Sequence, residues 1–249
     1  MKASSRADFV AIERERIQLE YQRRAREAHL DLNAPWQPSA WFMLDGRNRT
    51  AAVMLHRMGV FPKSGDQCLE VGFGSLGWLS ELIGWGVRES DLHGVELDPS
   101  RALKARQILP VADLRTGDAV ELPWDDGTFR LAISSTLFTS ILDQNVRGLV
   151  AHEIVRVLAP GGALLWYDFA YNNPANPNVR GINRAEIRRL FPTLQGKIRA
   201  VTLAPPLARL LAPRSWTLAT FLEAIPLLRT HLMAVLIKSA VNPFSPVNY

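Results

Sequence analysis

The sequence predicts an α/β fold in which a mostly parallel sheet is covered by helices on both faces. Short apolar, strand-like runs at 67–71, 91–97, 111–115, 129–134 and 163–169 alternate with helix-like segments at 76–85, 100–108 and 144–158. A glycine-rich turn follows the first of these strands. Strands joined by helices form right-handed βαβ units, which place the strands parallel and bury both faces of the sheet.

The flanking segments are organised differently. A helix at 7–30 with weak apolar periodicity, a proline-containing break at 34–38 and a second helix at 47–58 predict a helical extension over 1–45. The fold is expected to occupy 46–240, with a tail at 241–249. Two closing strands at 197–203 and 231–238 predict an antiparallel hairpin at a sheet edge, and the long apolar stretch 204–228 between them predicts a lid.

Composition restricts the class of protein. The single cysteine, Cys68, excludes an internal disulfide and is typical of a reducing cytoplasm. No apolar run is long enough for a transmembrane helix, and no signal peptide is expected. Residues 178–249 contain ten Lys or Arg and two Glu, a local charge of +8 within an overall +5. This basic segment can face an anionic acceptor or a membrane surface, or it can be an ordinary solvated face. It lacks a nucleic-acid-binding motif.

The glycine-rich turn has the sequence Glu70-Val71-Gly72-Phe73-Gly74-Ser75-Leu76-Gly77, a G-x-G-x-x-G pattern between a strand and a helix. Gly72 permits the tight turn, Gly74 lets the backbone approach a ligand, and Gly77 allows the helix to pack closely on the strand. A nicotinamide dinucleotide does not require an acid before the first glycine. Glu70 instead favours a ligand with an amino group, such as a zwitterionic amino acid.

Three further acids lie at or after the ends of the next two strands. Glu96 lies 24 residues after Gly72, at the end of a strand, where an acid can bind two ribose hydroxyls. Asp98, which precedes Pro99, suits the N-cap of the next helix. Asp118 is placed to accept an adenine amine while the Ala119 amide meets a ring nitrogen, although a plain Asx turn is the alternative.

The sequence resembles the class I S-adenosylmethionine-dependent methyltransferases, in the broad subgroup with a methyltransferase type 11 domain. The resemblance covers roughly 66–169 and lies in the ordered motifs Glu70–Gly74, Glu96, Gly117–Ala119, Leu122–Trp124 and Arg156–Gly162. It implies a Rossmann-like seven-stranded sheet with the last strand antiparallel. It also implies S-adenosylmethionine as cofactor, with Glu70 and Gly72 at its methionine part, Glu96 at the ribose and Asp118 at the adenine. Further donor contacts are assigned to Phe73, Gly74, Gly77, Leu97, Gly117, Ala119 and Ser135.

The acceptor is expected beyond the carboxyl ends of the strands. Candidate acceptor contacts are Thr136, Thr139, Tyr171, Asn172 and Asn173; the last two suit a hydroxyl-rich molecule, or belong to a rigid turn-rich loop. Asp168 is the candidate base. His152 is a less suitable base because it lies inside a helix, and Tyr167 is expected to face the core.

One motif of the subgroup is missing from this sequence, and the roles of two arginines stay open. Many members of the subgroup carry a Leu-His-His motif after the fourth strand, which the stretch 134–140 lacks, so histidine-dependent acceptor chemistry is not supported. Arg47 and Arg49, at the start of the second helix, suit a donor carboxylate, an acidic acceptor or plain surface roles. No metal site is predicted.

These features favour an enzyme that methylates oxygen on a small-molecule, glycan or lipid-linked acceptor. Methyl transfer from a sulfonium requires alignment and exclusion of water more than acid–base groups. Nucleic acid is not an expected partner, a homodimer is possible, and 204–228 can supply a peripheral membrane contact to a cytoplasmic protein. The alternatives are a non-catalytic donor- or partner-binding module and, disfavoured by Glu70 and Asp118, a nicotinamide-dependent enzyme.

Overall fold

The computed structural model describes residues 6–27, 34, 36–74, 76–173 and 176–240. Its strands are β1 (Cys68–Val71), β2 (Leu92–Glu96), β3 (Asp113–Thr116), β4 (Phe129–Ser135), β5 (Leu158–Phe169), β6 (Leu194–Leu203) and β7 (Arg229–Lys238). Its helices are α1 (Arg6–Glu27), α2 (Pro38–Arg57), α3 (Leu79–Gly84), α4 (Pro99–Ile108), α5 (Gln144–Val157), α6 (Arg184–Leu190), α7 (Pro205–Leu211) and α8 (Trp216–Glu223). The predicted tail and the last residues of the predicted first helix lie outside the described residues.

The strands form one seven-stranded sheet in the order β3-β2-β1-β4-β5-β7-β6. The five strands from β3 to β5 are parallel to their neighbours, whereas β7 runs antiparallel to both β5 and β6. This arrangement confirms the predicted fold class and the antiparallel last strand. The order reverses between β1 and β4, so their carboxyl ends border the crevice where ligands bind in open α/β sheets.

Two apolar layers cover the sheet. One contains residues of α2, α3 and α4, and the other contains residues of α5, α6 and the inner side of α1. A small third cluster, formed by Phe42, Leu203, Ala208, Ala212 and Ala219, packs α7 and α8 against α2 and β6. The segment 204–228 is therefore attached above the carboxyl edge of the sheet, beside α2.

The secondary structure differs from the sequence-based expectation at three places. The second helix begins at Pro38 rather than near Arg47, because a proline is favoured at the first position of a helix, where its missing N–H is not needed. The prolyl-glycyl stretch 159–162 continues into β5 instead of ending at a loop; a Cβ on Gly162 would lie 2.8 Å from the Phe129 carbonyl oxygen. Residues 204–228 are largely helical.

The described part of the chain has no helix with the length and apolar character needed to cross a membrane. Within the same residues, no group of three or more His, Cys, Asp or Glu side chains is placed to hold a metal ion.

Candidate functional site

The turn after β1 is built around the carboxylate of Glu70. This side chain is 1% exposed, and its Oε2 accepts hydrogen bonds from the backbone N–H of Trp78 (2.7 Å) and of Leu79 (3.2 Å), at the start of α3. A Cβ on Gly77 would lie 2.0 Å from Glu70 Oε1. Gly77 is thus required by the carboxylate of Glu70, rather than by the predicted packing of helix on strand. Burial raises the pKa of Glu70 well above its usual value, and the nearby Arg47 opposes this shift.

Glu96 connects the glycine turn to the end of β2. Its Oε2 accepts the N–H of Gly74 at 2.8 Å, and its Oε1 accepts the N–H of Asp98 at 3.0 Å. Gly74 has a φ of +61°, and a Cβ at this position would meet no atom within 4 Å. The turn therefore leaves open space beside Glu96. Each carboxylate oxygen has a second lone pair, so Glu96 can still accept hydrogen bonds from ligand hydroxyls.

The turn after β3 brings Asp118 to the same edge of the sheet. Asp118 Oδ1 accepts the N–H of Val120 at 3.1 Å, and Oδ2 accepts Nε of Arg14 at 2.8 Å. Arg14 belongs to α1, so this helix lies over the end of the site predicted to bind adenine. Asp98 accepts the N–H groups of Ser100 and Arg101, which fits the predicted N-cap of α4.

A cavity of about 50 Å³, here called the donor cavity, lies between these turns and α1. Of the predicted donor residues, it is lined by Gly72, Glu96, Leu97, Gly117, Asp118 and Ala119. The other predicted donor residues do not line it: Glu70, Phe73, Gly74, Gly77 and Ser135. Among them the Phe73 ring packs into the core, where a Cβ on Gly94 would lie 2.5 Å from it. Residues of α1 that sequence analysis missed close the cavity: Val10, Glu13, Arg14, Ile17 and Tyr21.

A second cavity, here called the lid cavity, has a volume of about 310 Å³ and lies between α2, the sheet edge and α7. It is lined by Ala40, Met43, Leu44, Arg47, Thr136, Tyr167, Phe169, Thr202, Pro205, Arg209 and His231. Consecutive residues after β4 line the two cavities: Thr136 lines the lid cavity and Leu137 lines the donor cavity.

Backbone strain is concentrated at these cavities. Among the described residues other than glycine, positive φ angles occur only at Leu76 (136°), Thr136 (52°) and Thr202 (62°). Leu76 lies in the glycine turn, and the two threonines line the lid cavity. A β-branched residue at positive φ is unfavourable, and such strain clusters at functional sites in proteins.

Aromatic rings form the floor of the lid cavity. Tyr167 of β5 and His231 of β7 are stacked with their ring centroids 4.9 Å apart. The ring centroid of Phe169, also on β5, lies 4.0 Å from that of His231. The Tyr167 hydroxyl and Thr202 Oγ1 share a hydrogen bond of 3.0 Å. Burial lowers the pKa of His231 to about 3 and raises the pKa of Tyr167 to about 12, so both rings are uncharged near neutral pH.

Arg47 connects the lid cavity with the glycine turn. Its guanidinium lies 4.0 Å from the centre of the Trp78 ring and 5.9 Å from the centre of the Tyr167 ring. Trp78 directly follows Gly77, the last glycine of the turn. Burial lowers the pKa of Arg47, and the nearby Tyr167, Glu70 and Glu81 act in the opposite direction. Arg49 lies on the surface in an exposed ion pair with Asp45.

Two predicted residues face away from both cavities. Asp168 is fully buried and accepts hydrogen bonds from Thr139 N (3.0 Å), Thr139 Oγ1 (2.6 Å) and Phe169 N (2.9 Å). Burial raises the pKa of Asp168 to about 6. Because neighbouring strand residues point to opposite faces, it is Tyr167 that reaches the lid cavity. The geometry therefore favours a structural role for Asp168 and Thr139. Tyr167 is part of the core, as predicted, and also lines the lid cavity.

The loop after β5 also turns away. Tyr171 is 64% exposed, and Asn172 Oδ1 accepts the N–H of Gly181 at 2.9 Å, which fastens the loop to itself. Tyr171, Asn172 and Asn173 line neither cavity, and residues 174–175 lie outside the described residues. His152 is exposed on α5, away from both cavities.

Comparisons with known proteins agree with this geometry. A family model described as "Methyltransferase domain" matches residues 68–162. A phthiotriol/phenolphthiotriol dimycocerosates methyltransferase of Mycobacterium tuberculosis is 33% identical over 132 residues, which cover 52% of this chain and 47% of that protein. A probable S-adenosylmethionine-dependent methyltransferase of Mycolicibacterium smegmatis is 28% identical over 138 residues, covering 52% of this chain and 51% of the relative. The chain thus spans about half the length of these curated relatives.

Solved structures share the fold. A putative sarcosine dimethylglycine methyltransferase from Galdieria sulphuraria has a TM-score of 0.61 at 16% identity, over 78% of this chain and 86% of its own. Geranyl diphosphate C-methyltransferase from Streptomyces coelicolor, solved with S-adenosyl-L-homocysteine, has a TM-score of 0.56 at 15% identity, over 78% and 77%. S-adenosylmethionine is the methyl donor of the family that these matches and the ordered site residues indicate. Residues 68–162 thus match a methyltransferase domain, and this part of the chain is similar to S-adenosylmethionine-dependent methyltransferases.

Proposed function

We propose that the protein transfers a methyl group from S-adenosylmethionine to an oxygen atom of a small, lipid-like acceptor. The observation that carries this proposal is that two consecutive residues, Thr136 and Leu137, line the lid cavity and the donor cavity respectively. Direct methyl transfer requires donor and acceptor to meet in line with water excluded. Two cavities lined by consecutive residues of one turn suit this requirement.

The residues of the donor cavity suit the proposed donor. Glu96 would accept the ribose hydroxyls, and Asp118 and Ala119 would face the adenine. The open space at Gly74 fits a ligand that lies against the backbone of the turn. Arg47, above the Trp78 ring, is suited to the carboxylate of the methionine part. Glu70 is buried beneath the glycine turn and would act by holding the N–H groups of Trp78 and Leu79 in place.

When bound, S-adenosylmethionine supplies a sulfonium methyl group: an acceptor lone pair forms the new O–C bond while the C–S electron pair stays on sulfur, leaving S-adenosylhomocysteine. The hydroxyl proton must then leave the acceptor oxygen. Asp168, the base predicted from sequence, is enclosed by Thr139 and Phe169. His231 lines the lid cavity, where its neutral imidazole can hydrogen-bond the acceptor hydroxyl, but its pKa of about 3 makes it a weak base, so the proton would pass to solvent as the O–C bond forms.

The acceptor class is inferred from the lining of the lid cavity. Met43, Leu44, Phe169 and Pro205 make much of its wall apolar. Relatives that share about half of this chain carry the name of a lipid methyltransferase. Since Asn172 and Asn173 lie outside the cavity, a glycan acceptor has less support than a lipid-like one.

We also propose roles for three segments of the chain. The segment 204–228 would act as the lid, 1–45 as a helical cover, and 46–240 as the catalytic domain. A homodimer, a peripheral membrane contact through 204–228 and a cytoplasmic location stay predictions.

Incubation of the purified protein with isotopically labelled S-adenosylmethionine and lipid extracts, followed by mass spectrometry, tests the proposal. We expect label in an apolar product that is absent when Glu96→Gln replaces the wild type. The matched control is Glu121→Gln, an exposed acid beside the donor site. If the protein binds S-adenosylhomocysteine but labels no extract, it is a donor-binding module and the proposed activity is wrong.

A further inference from the structure

We propose that the lid cavity selects acceptors with an anionic group, a carboxylate or a phosphate, on an apolar body, and that Arg209 binds this group. This inference rests on the proposed function and specifies its acceptor. It is carried by an arginine without a partner in a cavity that has basic and apolar walls.

Arg209 extends from α7 into the lid cavity. It forms no hydrogen bond or ion pair with any residue that the structure describes, and its Nε is buried without a hydrogen-bond partner. A buried donor of a charged group without a partner is costly, so such groups are normally paired. An anionic ligand in the lid cavity would supply the missing acceptor.

The charge of the cavity favours an anion. Arg47 and Arg209 are its two charged lining residues, and no aspartate or glutamate of the described chain lines it. On the lid side, Glu223 accepts the N–H of Leu203 at 3.3 Å and lines another cavity with Arg229. Tyr167 and His231 are uncharged near neutral pH. The lid cavity therefore carries two positive charges that its own lining does not neutralise.

The two arginines have different surroundings. Arg47 lies above Trp78, beside the glycine turn, where the donor's methionine carboxylate is expected. Arg209 approaches from the lid, next to Pro205 and opposite the sheet edge. We therefore assign Arg47 to the donor side and Arg209 to the acceptor. The planar guanidinium of arginine binds carboxylate or phosphate oxygens in pairs, which lysine does not reproduce.

The apolar part of the acceptor would lie along the lid. Met43 and Leu44 of α2 and Phe169 of β5 line the cavity. On the outer side of the lid, Leu210 is 54% exposed and Phe221 is 67% exposed. This apolar border beside a cationic cavity is complementary to an amphiphile whose charged end enters the cavity.

Calorimetry with three probes of equal chain length tests the inference: decanoate, decyl phosphate and decanol, each below its micelle concentration and with S-adenosylhomocysteine saturating. We expect at least one of the two anions to bind more tightly than decanol, and the tighter anion identifies the acceptor as a carboxylate or a phosphate. Arg209→Gln should weaken anion binding by about tenfold or more, the scale of one charge-assisted pair. Arg209→Lys should restore only part of the affinity.

The control variant is Arg214→Gln, since Arg214 is exposed between α7 and α8 and donates to the Leu210 carbonyl at 2.6 Å. Thermal unfolding and S-adenosylhomocysteine affinity should match the wild type in all three variants. Equal affinity for decanol and the anions, no anion binding, or unchanged anion binding in Arg209→Gln would overturn the inference. A wild type that does not bind S-adenosylhomocysteine would instead contradict the proposed function.

Discussion

The carboxylate of Glu70 occupies the space that a side chain on Gly77 would need, because a Cβ there would lie 2.0 Å from Glu70 Oε1. Glu70, the penultimate residue of β1, and Gly77, the last glycine of the turn, are therefore coupled sterically. Gly77→Ala must displace the carboxylate that holds the N–H groups of Trp78 and Leu79.

We predict that Gly77→Ala abolishes measurable binding of S-adenosylhomocysteine in calorimetry. The steric conflict adds about 1–3 kcal/mol to the cost of placing alanine at positive φ. Gly59→Ala is the matched control: Gly59 has a φ of +69°, but a Cβ there meets nothing within 4 Å. The control should lose stability through backbone strain alone and keep its donor affinity. Equal donor affinity in both variants would contradict this account of the turn.

The contact between Arg14 and Asp118 predicts a kinetic effect. The donor cavity beneath α1 is about 50 Å³, whereas ligand pockets typically measure about 300–1,000 Å³, so α1 must move to admit the donor. Arg14→Gln removes one attachment of α1. A partly exposed pair contributes about 0.2–1 kcal/mol, so S-adenosylhomocysteine association should quicken by up to about fivefold.

Stopped-flow tryptophan fluorescence measures this association rate. The control is Arg24→Gln, which breaks a pair between Arg24 and Glu20 within α1 and should leave the rate unchanged. A slower rate in Arg14→Gln would mean that Arg14 helps to bind the donor instead of restraining the helix.

Asp168 predicts a fall in stability as pH rises. Burial raises its pKa from 3.8 to about 6, so between these values the folded state binds more protons than the unfolded state. Its contribution to the free energy of unfolding is present below about pH 4 and is lost by about pH 6, a change of at most about 3 kcal/mol. Urea unfolding of Asp168→Asn across pH 4–6 should lack this component. Parallel pH profiles for the variant and the wild type would count against it.

The lowered pKa of His231 has the opposite effect on how the free energy of unfolding changes with pH. Burial lowers its pKa from 6.5 to about 3, so the unfolded state binds the extra proton between these values. Stability should therefore rise with pH from about 3 to 6.5, by at most about 5 kcal/mol from this group. His231→Phe, which keeps a ring against Tyr167, should flatten this rise, whereas His152→Phe on the exposed face of α5 should not. A rise that persists in His231→Phe would show that His231 is not its source.

The placement of Glu96 and Asp118 at one edge of the sheet was predictable because it follows from local sequence. A glycine turn after β1 and acids at the ends of β2 and β3 meet at one edge of the sheet, since parallel strands place their carboxyl ends together. The cover formed by α1 was not predictable, because the contact between Arg14 and Asp118 joins residues far apart in the chain.

The acceptor side depends on tertiary contacts. Alternation along β5 indicates that Tyr167 and Asp168 point to opposite faces, but it does not indicate which face borders the lid cavity; Tyr167 lines this cavity and Asp168, the candidate base, does not. His231 reaches the cavity because β7 inserts between β5 and β6. Arg209 reaches it because 204–228 forms helices, whereas proline and apolar residues there indicated a loop.

The most direct test of the donor site is calorimetry of the wild type and Glu96→Gln with S-adenosylhomocysteine and, separately, with NAD. The account predicts that the wild type binds S-adenosylhomocysteine and not NAD, and that Glu96→Gln loses about tenfold or more in affinity, as expected when a charged acceptor is lost. NAD binding by the wild type, or an undiminished affinity in Glu96→Gln, would contradict it.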